Sequence, residues 1–271
     1  MTHFDTTSHW LRSVSIPEYP TLGRDVTVDV AVVGGGITGI TTAYLLKAAG
    51  LTVALIERNQ CARADSGHTT AHLTMVTDLP LTELARNFGK DAARAVWDAG
   101  RIAIDQIESH VEAEQIECGF RRVPGYLHQA IAGNGLSTVE LEDVAALAQD
   151  LGFDAAFEPA VPHFRRAGVR FENQGLFHPL RYLYQLLRVI PGSGSHVFER
   201  TTATDVVDDP LSVRCGTHTI TCDYVVMATH TPLAGKSNRV SATLLQSKLA
   251  LYSSYAVGGK LPSGSVPHGL Y

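Results

Sequence analysis

The chain has no run of Lys or Arg. With 22 basic against 27 acidic residues its formal charge is −5, so it offers no footprint for a nucleic-acid backbone, and general nucleic-acid binding is excluded. Its four cysteines, Cys61, Cys118, Cys215 and Cys222, form no CxxC pair. That removes structural zinc, thioredoxin-like redox and iron–sulfur readings. No metal site is expected: of the twelve histidines only His68 and His72 stand four apart, and they lie in a Ser/Thr-rich connection rather than on a predicted helix. No stretch reaches the roughly 20 apolar residues of a membrane span. The N-terminus lacks an apolar signal core, and its first 23 residues carry only one basic residue, Arg12. A cytoplasmic protein is therefore expected. There is no internal repeat and no low-complexity tract.

What is present is dense in one place. Asp29-Val30-Ala31-Val32-Val33 is a run of β-formers, and it ends in Gly34-Gly35-Gly36-Ile37-Thr38-Gly39. The pattern Gly34-x-Gly36-x-x-Gly39 assigns each glycine a task. Gly34 turns the chain out of the strand, Gly36 lets a pyrophosphate approach the backbone, and Gly39 lets the next helix pack close to the sheet. A helix from Ile37 to about Ala49 would aim its N-terminal N–H groups, including those of Ile37 and Thr38, at the phosphates. A second strand over 52–56 ends at Glu57, 18 residues beyond Gly39. That is close to the roughly 20 expected for an acid that binds the ribose. A solvated acid at a strand end is the alternative for Glu57. Together these features predict a dinucleotide-binding unit from Val26 to about Arg58, with residues 1–25 as a surface arm anchored by Trp10 and Leu11.

Cys61 to Thr74 is rich in small hydroxyl residues suited to phosphate and to a flat ring near the backbone. Apolar spacing predicts one long helix or two abutting ones over 81–111, with a break at Gly89, and a further helix over 136–151. Residues 118–130 read as a strand pair or one bent strand, with Pro124-Gly125 at the turn or bulge. Short strands are expected at 156–157 and 168–171. Pro179 opens a helix to about Val189. Strands at 196–199 and 203–207 follow, then a hairpin around Gly216-Thr217, and then a strand over 223–229 buried on both faces. Arg121, Arg122, Tyr126 and His128 are candidates to face a substrate, with two arginines available to clamp a carboxylate. A solvated strand end explains them equally well, and no catalytic residue is assigned.

Five anchors along the chain carry a resemblance to a known family. They are the glycine fingerprint with Glu57-Arg58; Ser66-Gly67-His68-Thr69-Thr70-Ala71-His72; Asn173-Gln174-Gly175-Leu176-Phe177-His178-Pro179; Glu199-x-Thr201-x-Ala203; and Val225-Val226-Met227-Ala228-Thr229-His230. The chain resembles FAD-dependent oxidoreductases of the D-amino-acid oxidase type, which include glycine oxidase and sarcosine oxidase. It is especially similar to bacterial amine- or glycine-oxidase-like flavoproteins, some of which carry a C-terminal Rieske domain.

The resemblance implies an α/β fold: a Rossmann-like FAD-binding domain joined to an α+β substrate domain on a mostly antiparallel sheet. The expected boundaries are 26–115 with 173–235 for the first and 116–172 with 236–271 for the second. FAD is the implied cofactor, and a small amine or amino acid is the implied substrate. The implied cofactor contacts are Gly34, Gly36, Ile37, Thr38, Gly39, Glu57, Arg58, Ser66, Gly67, Thr69, Thr70, Ala71, His72, Ala203, Ala228 and Thr229. His72 stands where such relatives often carry Lys, and a few flavoproteins of this type attach flavin to a nearby His. Family members continue well beyond the position matching Tyr271, so the chain is expected to be the N-terminal part of a longer flavoprotein. A nicotinamide-dependent enzyme using the same fingerprint, and a fragment unable to hold flavin, are the competing readings.

Overall fold

A computed structural model describes residues 7–133, 135–229, 258–259 and 261–271. They fall into two compact units, Met1–Thr70 with Pro179–Val257, and Ala71–His178 with Gly258–Tyr271.

The first unit opens with α1 (His9–Arg12), β1 (Val26–Thr27), β2 (Val30–Val33), α2 (Ile37–Ala48) and β3 (Val53–Ile56). A short 3-10 turn, Asp65–Gly67, follows. The second unit contains β4 (His72–Leu73), α3 (Leu81–Phe88), α4 (Lys90–Ala113), β5 (Arg121–His128), α5 (Thr138–Asp150), β6 (Ala155–Glu158) and β7 (Gly168–Leu176). The chain re-enters the first unit with α6 (Pro179–Val189), β8 (His196–Phe198), β9 (Asp205–Asp208), β10 (Leu211–Cys215), β11 (His218–Thr221) and β12 (Tyr224–Met227).

The first unit holds two four-stranded sheets. One is fully parallel in the order β12-β2-β3-β8. β2 and β3 sit in its middle, and every residue of both is buried. That explains their unbroken apolar runs, because a strand covered on both faces has no polar side to present. Side chains alternate across a sheet. Ala31, Val33, Ala54 and Ile56 point to one face and pack with Val213, Cys215 and Ile220 of the second sheet, ordered β1-β11-β10-β9. α2 and α6 pack on each other, and α6 buries Leu180, Leu183, Leu186 and Leu187.

β12 pairs in parallel with β2 in the register Tyr224↔Val30 to Met227↔Val33, so it does return to the nucleotide-type sheet. Among the described residues, however, it is an edge strand. Tyr224 is 66% and Met227 46% exposed, so the expected burial on both faces does not hold among the described residues.

In the second unit β7 is the spine. β5 pairs along one edge, β4 and β6 along the other, all antiparallel. β5 is the single bent strand of the two options, with its register shift between Val123 and Gly125. A Cβ on Gly125 would lie 2.9 Å from Gln174 Cγ, so glycine makes room there for a buried glutamine. Gln174 then ties the sheet to the loop after β4, accepting from Thr74 Oγ1 and Met75 N, both at 2.9 Å. Trp97 of α4 is fully buried and meets Phe153 and Phe171 edge-on at 5.3 Å. Leu270 pairs with the outer edge of β5 through Tyr126 N–H to Leu270 O, 2.8 Å.

These contacts move the expected boundaries. The helices over 81–113 belong to the second unit, because their apolar faces close on α5 and β7. The return crossing falls after His178 rather than at 173, because β7 runs unbroken to Leu176. Gly89 breaks the two helices as expected, with φ 88°. The stretch 236–257 and His230 lie outside the described residues.

Candidate functional site

The fingerprint folds as a tight strand–turn–helix, and each glycine has a geometric reason. Gly34 has φ +115°, and a Cβ there would sit 2.5 Å from the Ala228 carbonyl oxygen. A Cβ on Gly39 would collide with the Gly34 carbonyl oxygen, so only glycine lets α2 leave the strand at this angle. Gly36 differs from both. A Cβ there would meet only Ser66 Oγ, at 3.7 Å, so the space it faces is open. Gly36 is the N-cap of α2 and gives no side-chain cap. The Ile37 N–H donates to Ser66 Oγ at 3.1 Å. The remaining first-turn N–H groups, Thr38 among them, have no partner within the helix by its geometry.

Over this turn lies a cavity of about 190 Å³ lined by Gly35, Gly36, Glu57, Asn59, Gln60, Ala62, Arg63, Ala64 and Ser66. It is smaller than the roughly 300–1,000 Å³ of ordinary ligand sites, enough for part of a nucleotide rather than a whole dinucleotide. Glu57 ends β3 and is half-buried. Its Oε2 accepts from Gly35 N and its Oε1 from Asn59 N, both at 2.8 Å. A carboxylate has about four lone-pair sites, so two remain for a ligand. Glu57 is thus tied into the turn rather than left as a solvated strand-end acid.

The structure brings most of the expected site residues together in the first unit. Gly34, Gly36, Ile37, Thr38 and Gly39 form the turn, Ala228 and Thr229 lie against Gly34, and Ser66 faces Gly36. The N-terminal arm straps the next segment. Ser8 Oγ donates to Gly67 O at 2.5 Å and Trp10 Nε1 to Thr69 O at 2.7 Å, and Leu11 lies beside Gly67. Thr70 is exposed, as is Arg58, which does not line the cavity. Ala203 is buried in the core between the two sheets, just before β9 rather than within it. Ala71 and His72 open the second unit, with His72 paired to Leu176 in β4.

Three features escaped the sequence reading. Gly35 is needed because a Cβ would meet Cys61 Sγ at 2.7 Å and Glu57 Cβ at 2.9 Å. The middle glycine of a Gly-Gly-Gly run was the available signal. Asn59 and Gln60 line the cavity, and nothing but their adjacency to Glu57 marks them, whereas Ala62, Arg63 and Ala64, which also line it, lie in the Cys61–Thr74 segment already read as suited to phosphate. Glu199 stood in the sequence only as a strand end and the first residue of an anchor, yet its carboxylate is 1% exposed and accepts from Cys61 N and Tyr19 N. The arginine clamp is not formed. Arg122 instead binds Glu108 Oε2 at 2.6 Å, Asp105 Oδ1 at 2.7 Å and Asn173 O at 2.8 Å. Burial by itself would lower the Arg122 pKa, but the hydrogen bonds and charges of Glu108 and Asp105 together outweigh it and raise the pKa while holding the guanidinium in place. Tyr126 stacks on Tyr271 at 5.0 Å and His128 on Phe164 at 4.6 Å.

A parallel sheet, a glycine turn with open space at its middle position and an acid closing the next strand define a dinucleotide-binding protein of the α/β class. The family model described as FAD dependent oxidoreductase (DAO) matches residues 29–252, and the chain belongs to that family. FAD is that family's cofactor. The chain is 32% identical over 266 residues to the putative Rieske 2Fe-2S iron-sulfur protein YhfW of Bacillus subtilis, covering 97% of this chain and 51% of that one. It is 27% identical over 243 residues to the gamma-glutamylputrescine oxidoreductase of Escherichia coli, covering 85% and 56%. Among solved structures, glycine oxidase from Geobacillus kaustophilus superposes with a TM-score of 0.59 at 19% identity, covering 80% of this chain and 59% of that one. The chain spans about half the length of the curated relatives it matches. The turn fits the pyrophosphate of the family cofactor: Gly36 faces open space and the first turn of α2 offers N–H donors.

Proposed function

We propose that this chain supplies the nucleotide-binding part, and some of the substrate-side part, of a cytoplasmic FAD-dependent enzyme that oxidises the C–N bond of an amine or amino acid. The observation that carries the reading is the open cradle at Gly36, set between the N-terminus of α2 and Ser66. In this reading Gly34, Gly36 and Gly39 shape the turn, and Ile37 and Thr38 present backbone N–H groups to phosphate. Ser66 completes the cradle and Glu57 accepts the ribose hydroxyls. Arg58, Gly67, Thr69, Thr70, Ala71, His72, Ala203, Ala228 and Thr229 complete the cofactor-contacting set. The first unit is the nucleotide-binding domain and the second the substrate domain. The four cysteines are free and buried, which supports a reducing compartment.

Bound flavin would supply the two-electron acceptor for oxidation of the carbon beside the amine nitrogen, with oxygen or another acceptor taking the electrons onward and water hydrolysing the imine product. The residues of this chain bind and orient the cofactor. The gamma-glutamylputrescine oxidoreductase and glycine oxidase relatives support a small amine or amino acid as substrate. The test is anaerobic mixing of the flavin-loaded protein with a panel of primary amines, polyamine derivatives and amino acids. Bleaching of the oxidised-flavin spectrum by at least one panel member is expected. A stable spectrum with all of them, in a protein that holds FAD, would reject C–N oxidation.

A further inference from the structure

Glu199 is 1% exposed, and a buried carboxylate demands partners. Its Oε1 accepts from Cys61 N at 2.9 Å, and its Oε2 accepts from Tyr19 N at 3.3 Å. Arg200 Nη1 lies 3.7 Å from Oε2, and Arg200 Nη2 donates to Tyr19 O at 2.8 Å. The surrounding backbone adds to this hub. Arg200 N donates to Asn59 O at 2.8 Å, Thr201 N to Glu57 O at 2.9 Å, and Glu199 N to Pro20 O at 3.1 Å. One carboxylate therefore joins the N-terminal arm, the loop after β3 and the end of β8.

The loop it grips carries the cavity wall. Cys61 Sγ lies 2.7 Å from where a Cβ on Gly35 would fall, and Ala62 N donates to Gly35 O at 2.8 Å. Ala62 holds a left-handed φ of 57°, which a side chain adopts only when its surroundings fix it. Asn59, Gln60, Ala62, Arg63, Ala64 and Ser66, all on this loop, line the cavity. We propose that Glu199 is a positioning residue for the nucleotide cradle, holding the 59–66 loop against the Gly35 backbone so that the site exists before the ligand arrives. The proposal rests on the FAD reading above. The sign of the charge makes it specific. A negative charge beneath a phosphate-binding turn opposes an anionic ligand, so whatever Glu199 contributes is geometric. Burial, reinforced by the charges of Glu199 and Glu57, pushes the Cys61 thiol far above its usual range, so Cys61 stays a neutral wall.

Glu199→Gln keeps the shape and one acceptor but turns an amide NH₂ toward Tyr19 N–H or Cys61 N–H, donor against donor. Calorimetric titration of the purified protein with ADP and with FAD is the test. The Kd for both should rise about tenfold, the effect of losing one charge-assisted hydrogen bond. If electrostatics alone governed, removing the negative charge would tighten both. Ile220→Val, a core substitution in the sheet β1-β11-β10-β9, serves as a destabilised control and should leave both Kd values unchanged. Unchanged or tighter binding in Glu199→Gln, or an equal loss in Ile220→Val, overturns the proposal. If the wild type binds neither ligand, the FAD reading itself falls with it. Should Glu199→Gln not fold, hydrogen exchange on the ligand-free wild type decides. The Cys61 amide should exchange slowly, and fast exchange there overturns the proposal.

Discussion

Glu57 gives the sharpest separation of effects, because its carboxylate faces two ways. On the protein side it accepts from Gly35 N and Asn59 N, both at 2.8 Å. Gly35 is buried and Asn59 exposed. Glu57→Ala therefore strands one buried N–H, at Gly35, while water replaces the acceptor at Asn59. An orphaned buried donor costs about 1–3 kcal/mol, so the ligand-free protein should lose that much stability. On the ligand side, loss of a charge-assisted bond to ribose costs about 1.5–3 kcal/mol, a weakening of FAD binding of roughly 10- to 100-fold. Glu57→Gln splits the two. Its amide oxygen still serves Gly35, and its NH₂ turns toward the exposed side. Stability should stay within about 0.5 kcal/mol of wild type, the scatter of an ordinary surface change, while FAD affinity still falls. Urea unfolding of the ligand-free protein and FAD titration read the two effects. Wild-type stability in Glu57→Ala would refute the cradle role. Wild-type affinity in both variants would refute the ribose role.

Two further outcomes follow from the geometry. Gly39→Ala drives a methyl group into the Gly34 carbonyl oxygen, so soluble expression or the melting temperature should fall, even though Ala in place of Gly gains ~1 kcal/mol in a free helix; a variant as stable as wild type would contradict the close strand–helix approach. Burial, with smaller effects from Cys61 and Glu199, pushes the Tyr19 hydroxyl up to about 12. An unfolded phenol ionises near 10, so between pH 10 and 12 the folded state binds the extra proton and stability falls as pH rises. Across that range the melting temperature of the wild type should fall more steeply than that of Tyr19→Phe, which lacks the phenol, whereas a difference between the two that stays constant with pH would mean that Tyr19 titrates normally; an ultraviolet titration showing all phenols ionised by pH 10.5 would contradict the shift.

The nucleotide unit was legible because its physics is local. A strand buried on both faces must be apolar throughout, and a turn that admits no Cβ must be glycine, so Val30–Val33 and Gly34–Gly39 announce themselves. Gly89 and the hairpin at Gly216-Thr217 were equally readable. The failures are tertiary. Periodicity marked the helices over 81–113 but not their partners, since nothing in Trp97 itself says that it will meet Phe153 and Phe171. Arg122 looked like a free clamp because Asp105 and Glu108, which neutralise it, lie 17 and 14 residues away on α4. The apolar run of β12 suggested a strand buried on both faces, whereas among the described residues it lies at an edge. Glu199 read as the end of a strand and the head of an anchor, and only the fold shows its carboxylate buried between Tyr19 and Cys61.

The phosphate cradle depends on Gly36. FAD titration of the purified wild type beside Gly36→Val, followed by flavin fluorescence, tests it most directly. In the wild type the open face at Gly36 should admit the pyrophosphate and give saturable FAD binding. In Gly36→Val a branched side chain occupies that space, and binding should be abolished while the fold, read by circular dichroism, persists because a Cβ there meets only Ser66 Oγ at 3.7 Å. Equal FAD affinity in the two proteins would contradict the cradle, and with it the central claim.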